Sequence, residues 1–143
     1  SGLQALRSAR GLALADADND GDMDALIVDL DHVPRLLENR SQRRGFWIAV
    51  RTVGTLSNRD GYGARVKVTA GGIERVREMR ATQGLYSSHD PRLHFGLGEV
   101  DGVESVEVLW PSGRRSRIEA PELNTVLTVV EPDQPEPAPA AGS

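Results

Sequence analysis

Five aspartates occupy every second position in a stretch of nine residues that reads Asp-Ala-Asp-Asn-Asp-Gly-Asp-Met-Asp. Calcium takes about six to eight hard oxygen ligands in a flexible cage, and Gly21 permits the sharp turn that such a cage requires. The residue types and their spacing therefore predict a Ca²⁺ site with five candidate ligands, which are Asp16, Asp18, Asp20, Asp22 and Asp24. Asp22 is expected to contribute its backbone carbonyl.

The alternative to a metal site is a solvated acidic turn. Carboxylates packed this closely repel one another unless a cation neutralises them, which favours the metal site. An EF-hand is excluded, because the twelfth loop position is Ile27 where that motif requires Glu. The apolar flanks 11–15 and 25–28 indicate strands, so the sequence predicts a β–loop–β site.

Residues 11–28 resemble the FG-GAP repeat, an integrin-type or VCBS-like unit, and residues 34–39 resemble its next strand. This resemblance implies a fragment of a β-propeller blade that carries Ca²⁺ in the aspartate loop. Because one repeat cannot close a propeller, we expect the chain to be part of a longer multidomain protein.

The elements after residue 45 alternate apolar and polar residues, for example over 64–70 and 103–110. Short alternating runs separated by turn residues predict an antiparallel all-β domain, here a β-sandwich of about seven or eight strands. Gly71-Gly72 and Pro111-Ser112-Gly113 predict tight turns between strands. The segment 85–97 reads as irregular, because Gly and Pro interrupt its pattern.

Three parts follow from these patterns. Residues 1–44 are predicted to be the partial calcium-binding repeat, and residues 45–130 the β-sandwich-like domain. Residues 131–143 are rich in Pro and Ala and predict a disordered tail, because proline cannot pair inside a sheet.

Three strings in the second part carry a further resemblance. They are residues 57–66 (Ser-Asn-Arg-Asp-Gly-Tyr-Gly-Ala-Arg-Val), 94–98 (His-Phe-Gly-Leu-Gly) and 110–113 (Trp-Pro-Ser-Gly). In this order they resemble the ASPIC/UnbV domain over residues 45 to about 130, although Tyr62 replaces an aliphatic residue. The resemblance implies a β-rich module of secreted proteins that include cartilage acidic protein. UnbV-named members occur beside enediyne biosynthesis genes, and no catalytic residue is carried over.

Six further residues are candidates for ligand contact: Asn58, Arg59, Asp60, His89, His94 and Trp47. The polar loop 58–61 has a simple alternative, since Asn and Asp bond their own backbone in turns. The spacing of the two histidines fits neither a helix face nor one face of a strand, which favours a structural role over a base or a metal site. Trp47 is out of phase with its neighbours and is expected to be exposed for sugar stacking. Trp110 is expected in the core.

Composition excludes several classes of function. The chain has no cysteine, which excludes disulfides, zinc–thiolate sites and thiol catalysis. Its arginines are scattered and rarely adjoin aromatic residues, which argues against nucleic-acid binding. No apolar run approaches the length of a transmembrane helix, and the sequence contains neither a signal-peptide pattern nor a Gly-Xaa-Ser-Xaa-Gly motif.

These observations predict a non-catalytic, calcium-binding interaction module from a larger secreted or cell-envelope protein, with a protein or glycan partner. The alternative is an accessory protein of secondary metabolism, similar to enediyne biosynthesis proteins. In that case a small-molecule pocket is expected near His89, His94 and Arg59.

Overall fold

The computed structural model describes residues 8–40, 45–81 and 88–134, and within them the protein is all-β. The ten strands are β1 (Ala9–Ala15), β2 (Asp24–Asp29), β3 (Arg35–Leu37), β4 (Phe46–Val53), β5 (Arg65–Ala70), β6 (Ile73–Glu78), β7 (Leu93–Gly98), β8 (Val103–Leu109), β9 (Arg115–Glu119) and β10 (Thr125–Val130). None of the described segments forms a helix with the length and apolar character needed to cross a membrane. The all-β prediction is confirmed.

The chain divides into two compact units. The first comprises the described residues of Ser1–Arg44 and Arg80–Pro91, and the second those of Gly45–Met79 and Arg92–Ser143. The sequence analysis assigned residues 80–91 to the sandwich. The hydrogen bonds of His89 and Asp90 with Leu14 explain the difference, because a sequence pattern does not reveal pairing with a strand so far away in the chain.

The first unit is a three-stranded antiparallel sheet in the order β1-β2-β3. Ala15 pairs with Asp24, so the aspartate loop connects two adjacent strands, as predicted for the β–loop–β arrangement. The buried Asp29 of β2 accepts a bond from Arg35 Nε of β3 at 3.2 Å. This ion pair joins the second and third strands beyond their backbone pairing.

The second unit consists of two sheets with the orders β10-β4-β7 and β6-β5-β8-β9. Their inner faces share one core, which includes Val50 of β4, Val68 of β5, Phe95 of β7 and Val108 of β8. Trp110 is buried in the same core, as predicted. A shared core between two sheets is the arrangement of a β-sandwich.

The pairing of β10 with β4 is parallel, which departs from the predicted antiparallel pattern. Parallel neighbours need a crossover rather than a hairpin. The chain meets this requirement because β10 follows β9, which belongs to the other sheet.

Strand β7 replaces the irregular segment expected from the sequence. Its side chains Leu93, Phe95 and Leu97 are buried, while Gly96 and Gly98 occupy the alternate, exposed positions. Glycine provides no polar side chain on the outer face, so the alternation of a half-buried strand was hidden in the sequence.

The Gly71-Gly72 turn has the predicted hairpin geometry. Ala70 pairs with Ile73 across two residues whose φ values are 58° and 69°. Glycine adopts such positive φ values without the cost that a Cβ atom brings. The turn therefore sets the register of β5 against β6.

Candidate functional site

The loop between β1 and β2 gathers three of the five predicted ligands. Asp16, Asp18 and Asp20 each offer a carboxylate oxygen, and these oxygens lie within 4.8 Å of one another. Asp16 is buried, whereas Asp18 and Asp20 are exposed to solvent. The cluster thus combines one buried carboxylate with two that are accessible to solvent.

Backbone bonds hold the loop in a tight coil around these carboxylates. The Asp20 N–H donates to Asp18 Oδ1 at 3.2 Å, and the Asp22 N–H donates to Asp20 Oδ1 at 2.8 Å. The Gly21 N–H donates to Asp16 Oδ2 at 3.1 Å. Gly21 has a φ of 94°, so the predicted glycine does make the turn.

Asp24 closes the loop at its base. Its Oδ2 accepts from the Ala17 N–H at 3.0 Å, and its Oδ1 accepts from the Asn39 N–H at 2.8 Å. Both carboxylate oxygens of this buried residue therefore tie the loop to β2 and to the chain after β3. Asp22 is half-buried, and its N–H donates to Asp20 Oδ1.

The electrostatics of the cluster follow from its like charges. The Asp20 N–H stabilises the Asp18 carboxylate and lowers its pKa, but desolvation and the charges of Asp20, Asp24 and Asp16 outweigh that bond. The net result is a pKa for Asp18 that is raised above its ordinary value of 3.8. Desolvation is the largest single cause of this rise, and a bound cation would offset the part that comes from the neighbouring charges.

The donor set fits calcium. Two ligands of one Ca²⁺ ion, each about 2.3–2.6 Å from the metal, lie at most roughly 5 Å apart, and the three oxygens satisfy that limit. All three donors are carboxylate oxygens, which are the hard ligands that Ca²⁺ prefers. Asp16, Asp18 and Asp20 could therefore hold one ion, with solvent completing its shell on the exposed side.

His89 and Asp90 bind the strand that leads into this loop. The Leu14 N–H donates to His89 Nδ1 at 2.9 Å, and the Asp90 N–H donates to the Leu14 carbonyl at 3.0 Å. His89 is thus an acceptor for a backbone group of the first unit, whereas His94 lies on β7 in the second.

The polar loop 58–61 adopts the turn that was the simpler alternative for its residues. Asn58 Oδ1 accepts from the Asp60 N–H at 2.9 Å, and the Gly61 N–H donates to the Asn58 carbonyl at 2.7 Å. The Arg59 carbonyl accepts from the Gly54 N–H at 3.0 Å. These bonds fold the segment back on itself.

A buried carboxylate that the sequence analysis placed in the tail binds the residues just before this polar loop. Glu131 is 1% exposed, and its Oε2 accepts from three consecutive backbone N–H groups at 2.7–2.9 Å. Its Oε1 accepts from two serine hydroxyls at 2.7 and 2.5 Å. The donors are the N–H groups of Thr55, Leu56 and Ser57 and the hydroxyls of Ser57 and Ser112.

These donors determine the ionisation of Glu131. Burial by itself raises the pKa of the carboxyl group, but the hydroxyl of Ser112, the N–H and hydroxyl of Ser57 and the N–H of Thr55 together outweigh it. The pKa of Glu131 falls to about 2. Glu131 is therefore a structural anion, and its low pKa makes it unsuited to act as a general base near neutral pH.

A sequence profile of the family described as ASPIC and UnbV matches residues 54–136, which is more than half of the chain. The chain belongs to the ASPIC and UnbV family. No curated protein matched the chain. The aspartate loop lies before the matched residues, so the FG-GAP resemblance of residues 11–40 stays a prediction.

The ASPIC and UnbV match contains the whole Glu131 cluster. It begins at Gly54, the first residue of the loop whose backbone surrounds the carboxylate, and it includes Glu131 itself. Ser57 belongs to the first of the three strings and Ser112 to the third, and both bind Glu131 Oε1. Two of the strings are therefore joined through a residue outside all three.

Other residues of the three strings also serve the fold of the ASPIC and UnbV domain. Phe95, from the second string, is buried in the core. Trp110, from the third, is buried and donates from Nε1 to Ser116 Oγ at 2.9 Å. The described contacts of these strings are packing and turn contacts of the sandwich.

The expectation that Trp47 is exposed is wrong. Its side chain is 9% exposed and stacks on His94, with the ring centroids 5.6 Å apart and the planes at 19°. Alternation assigned Trp47 to the face of β4 opposite Ile48, but Ala49 on that same face is also buried. Both faces of the central strand are covered, which alternation alone does not reveal. Sugar stacking on Trp47 is therefore not supported.

Proposed function

We propose that this protein is a non-catalytic, calcium-binding interaction module of a larger secreted or cell-envelope protein, with a protein or glycan partner. The observation that carries the calcium part is the convergence of the Asp16, Asp18 and Asp20 carboxylates in a loop closed by backbone bonds. The closeness of these carboxylates supports it, since like charges held together gain stability from a cation.

The interaction part is supported by the first unit, which leaves apolar side chains exposed on one sheet face. Leu26, Val28 and Leu36 are 40%, 42% and 54% exposed. Leu26 pairs with Leu36, and Val28 is two residues further along β2, so the three side chains share a face. Exposed apolar groups concentrated in this way are typical of interaction surfaces.

By contrast, the outer face of the four-stranded sheet carries charges that pair with one another. Lys67 Nζ lies 3.0 Å from Glu74 Oε1 and 3.2 Å from Glu107 Oε1. Arg117 Nη1 lies 2.7 Å from Glu107 Oε1. Such a face is already satisfied by its own ion pairs. We therefore propose that the partner contacts the apolar face of the first unit.

The experiment that tests calcium binding compares the wild type with Asp20→Asn by titration calorimetry and thermal unfolding. Asparagine keeps the oxygen that accepts from the Asp22 N–H but removes the charge. The wild-type midpoint should rise with Ca²⁺ concentration, because a ligand that binds only the native state stabilises it. Asp20→Asn should reduce that rise.

Asp31→Asn is the matched control, since Asp31 is an exposed acid of the same unit outside the cluster. Its calcium response should equal that of the wild type. A wild-type midpoint that is the same in Ca²⁺ and in a chelator would contradict the calcium part of the proposal.

The partner class is tested by probing a glycan array with the labelled chain in Ca²⁺ and in a chelator. Saturable, calcium-dependent binding to one glycan class supports a glycan partner, and its loss in a Leu26→Ser, Leu36→Ser variant assigns it to the apolar face. An array without calcium-dependent binding contradicts the glycan partner and favours the protein one.

The small-molecule alternative has no observation in its favour. It grouped His89, His94 and Arg59 in one pocket. Each has a structural contact instead: His89 with Leu14, His94 with Trp47, and the Arg59 carbonyl with Gly54.

A further inference from the structure

Both backbone polar groups of Leu14 are engaged by a segment from much later in the chain. His89 Nδ1 accepts from the Leu14 N–H at 2.9 Å, and the Leu14 carbonyl accepts from the Asp90 N–H at 3.0 Å. His89 and Leu14 are 75 residues apart in sequence. The two bonds therefore attach residues 89–90 to β1, the first strand of the β1-β2-β3 sheet. Neighbouring residues in the sequence do not provide this contact.

Leu14 is close to the candidate cation site. It lies two residues before Asp16, the buried member of the carboxylate cluster, and it pairs with Ala25 of β2. β1 is thus held by β2 along one edge and by His89 and Asp90 along the other. Contacts on both edges of β1 therefore fix the backbone that leads to Asp16.

The segment that makes this contact connects two strands of the sandwich. Residues Arg80–Pro91 are grouped with the first unit, while β6 ends at Glu78 and β7 begins at Leu93.

We propose that His89 is a positioning residue of the cation loop, and that docking of His89–Asp90 on β1 is linked to Ca²⁺ binding. The proposal rests on the proposed function. Docking of His89 and Asp90 fixes β1 up to Leu14. Asp16 then has less conformational entropy to lose when it binds an ion. Linkage is reciprocal, so bound Ca²⁺ must favour docking by the same factor by which docking favours Ca²⁺.

The experiment uses three variants of the full chain: His89→Leu, His89→Asn and His32→Leu. Leucine removes the acceptor, whereas asparagine keeps an oxygen near the position of Nδ1 and should restore the bond. His32 is an exposed histidine of the same unit and serves as the control. Thermal unfolding in a chelator tests whether each variant remains folded.

Two readouts follow the linkage. Calorimetry should show weaker Ca²⁺ binding in His89→Leu, by at most about three- to tenfold, because the free energy of one hydrogen bond limits the linkage. The affinity should largely recover in His89→Asn. Amide hydrogen exchange at Leu14 and Asp90 should slow on addition of Ca²⁺ to the wild type. In His89→Leu the Leu14 amide should exchange faster with or without the ion.

Equal Ca²⁺ affinity in His89→Leu and the wild type, with unchanged Leu14 exchange, would overturn the proposal. An equal loss of affinity in His32→Leu would also overturn it, because the effect would then not be specific to the Leu14 contact. If the wild type binds no Ca²⁺, the proposed function and the linkage both fail. In that case faster Leu14 exchange in His89→Leu still supports the positioning role of His89 on β1.

Discussion

Ser57 and Glu131 lie 74 residues apart in sequence and meet through two hydrogen bonds. The Ser57 N–H donates to Glu131 Oε2 at 2.7 Å, and the Ser57 hydroxyl donates to Oε1 at 2.7 Å. The backbone of Glu131 is held as well, since its N–H donates to the Val53 carbonyl at 2.8 Å. The end of β10 is thereby tied to the loop that follows β4.

Glu131→Gln is expected to destabilise the sandwich by roughly 3 kcal/mol near neutral pH. The depression of the Glu131 pKa from 4.5 to about 2 corresponds to stabilisation of that size in the folded state. A glutamine amide also points its NH₂ group either at backbone N–H groups, which can only donate, or at serine hydroxyls, which would have to reverse their hydrogen bonds to accept. Urea unfolding followed by circular dichroism measures the loss.

The control for this variant is Glu122→Gln, which removes a charge from an exposed glutamate of the same unit. Its stability should stay within about 0.5 kcal/mol of the wild type. A similarly small effect for Glu131→Gln would show that the hydrogen bonds accepted by the Glu131 carboxylate contribute little to the free energy of unfolding.

The stabilisation by Glu131 is expected to disappear in acid. Because its folded pKa of about 2 lies below the ordinary value of 4.5, the contribution is fully present above the ordinary value. It is lost as the pH falls from about 4.5 towards 2. The stability difference between the wild type and Glu131→Gln should thus be constant from about pH 7 to pH 6 and shrink by more than half near pH 3. A difference that does not depend on pH would exclude ionisation of Glu131 as its source.

Gly61→Ala is expected to cost more stability than Gly72→Ala, although both positions have nearly the same φ, 68° and 69°. A Cβ atom at Gly61 would lie 2.6 Å from Thr52 Cβ and 3.3 Å from Trp110 Cζ3, whereas nothing lies within 4 Å at Gly72. Gly72→Ala should cost about 1–2 kcal/mol for its backbone conformation alone. Overlap with the core should add roughly 2 kcal/mol at Gly61. Equal losses in urea unfolding would contradict this account of the 54–63 loop.

Asp18→Asn is expected to leave the loop intact in a chelator and to weaken its response to Ca²⁺. Asparagine still accepts from the Asp20 N–H, which donates to Asp18 Oδ1 at 3.2 Å, so the coil of the loop is kept. Removing one of the crowded charges should leave the melting temperature in a chelator unchanged or higher. In Ca²⁺ the variant should gain less than the wild type. A full calcium response in Asp18→Asn would remove Asp18 from the ligand set.

Local features of this protein were predictable because short segments determine them. The spacing of the aspartates brings Asp16, Asp18 and Asp20 together once β1 and β2 pair at Ala15 and Asp24. The hairpin at Gly71-Gly72 likewise follows from two residues that adopt positive φ. In each case the partners lie within about ten residues of one another, so local geometry decides the contact.

The sequence by itself thus determined the all-β class, the turns and the candidate cation loop, whereas tertiary structure decided which remaining polar groups are buried and paired. Alternation assigned Trp47 to one face of β4 without showing that this face is covered. Glu131 follows the last strand and begins an acidic, proline-rich segment, and only folding brings it to the donors of Thr55, Leu56 and Ser57. The burial and pKa of a side chain depend on groups that are distant in sequence, and their positions follow from the packing of the whole unit.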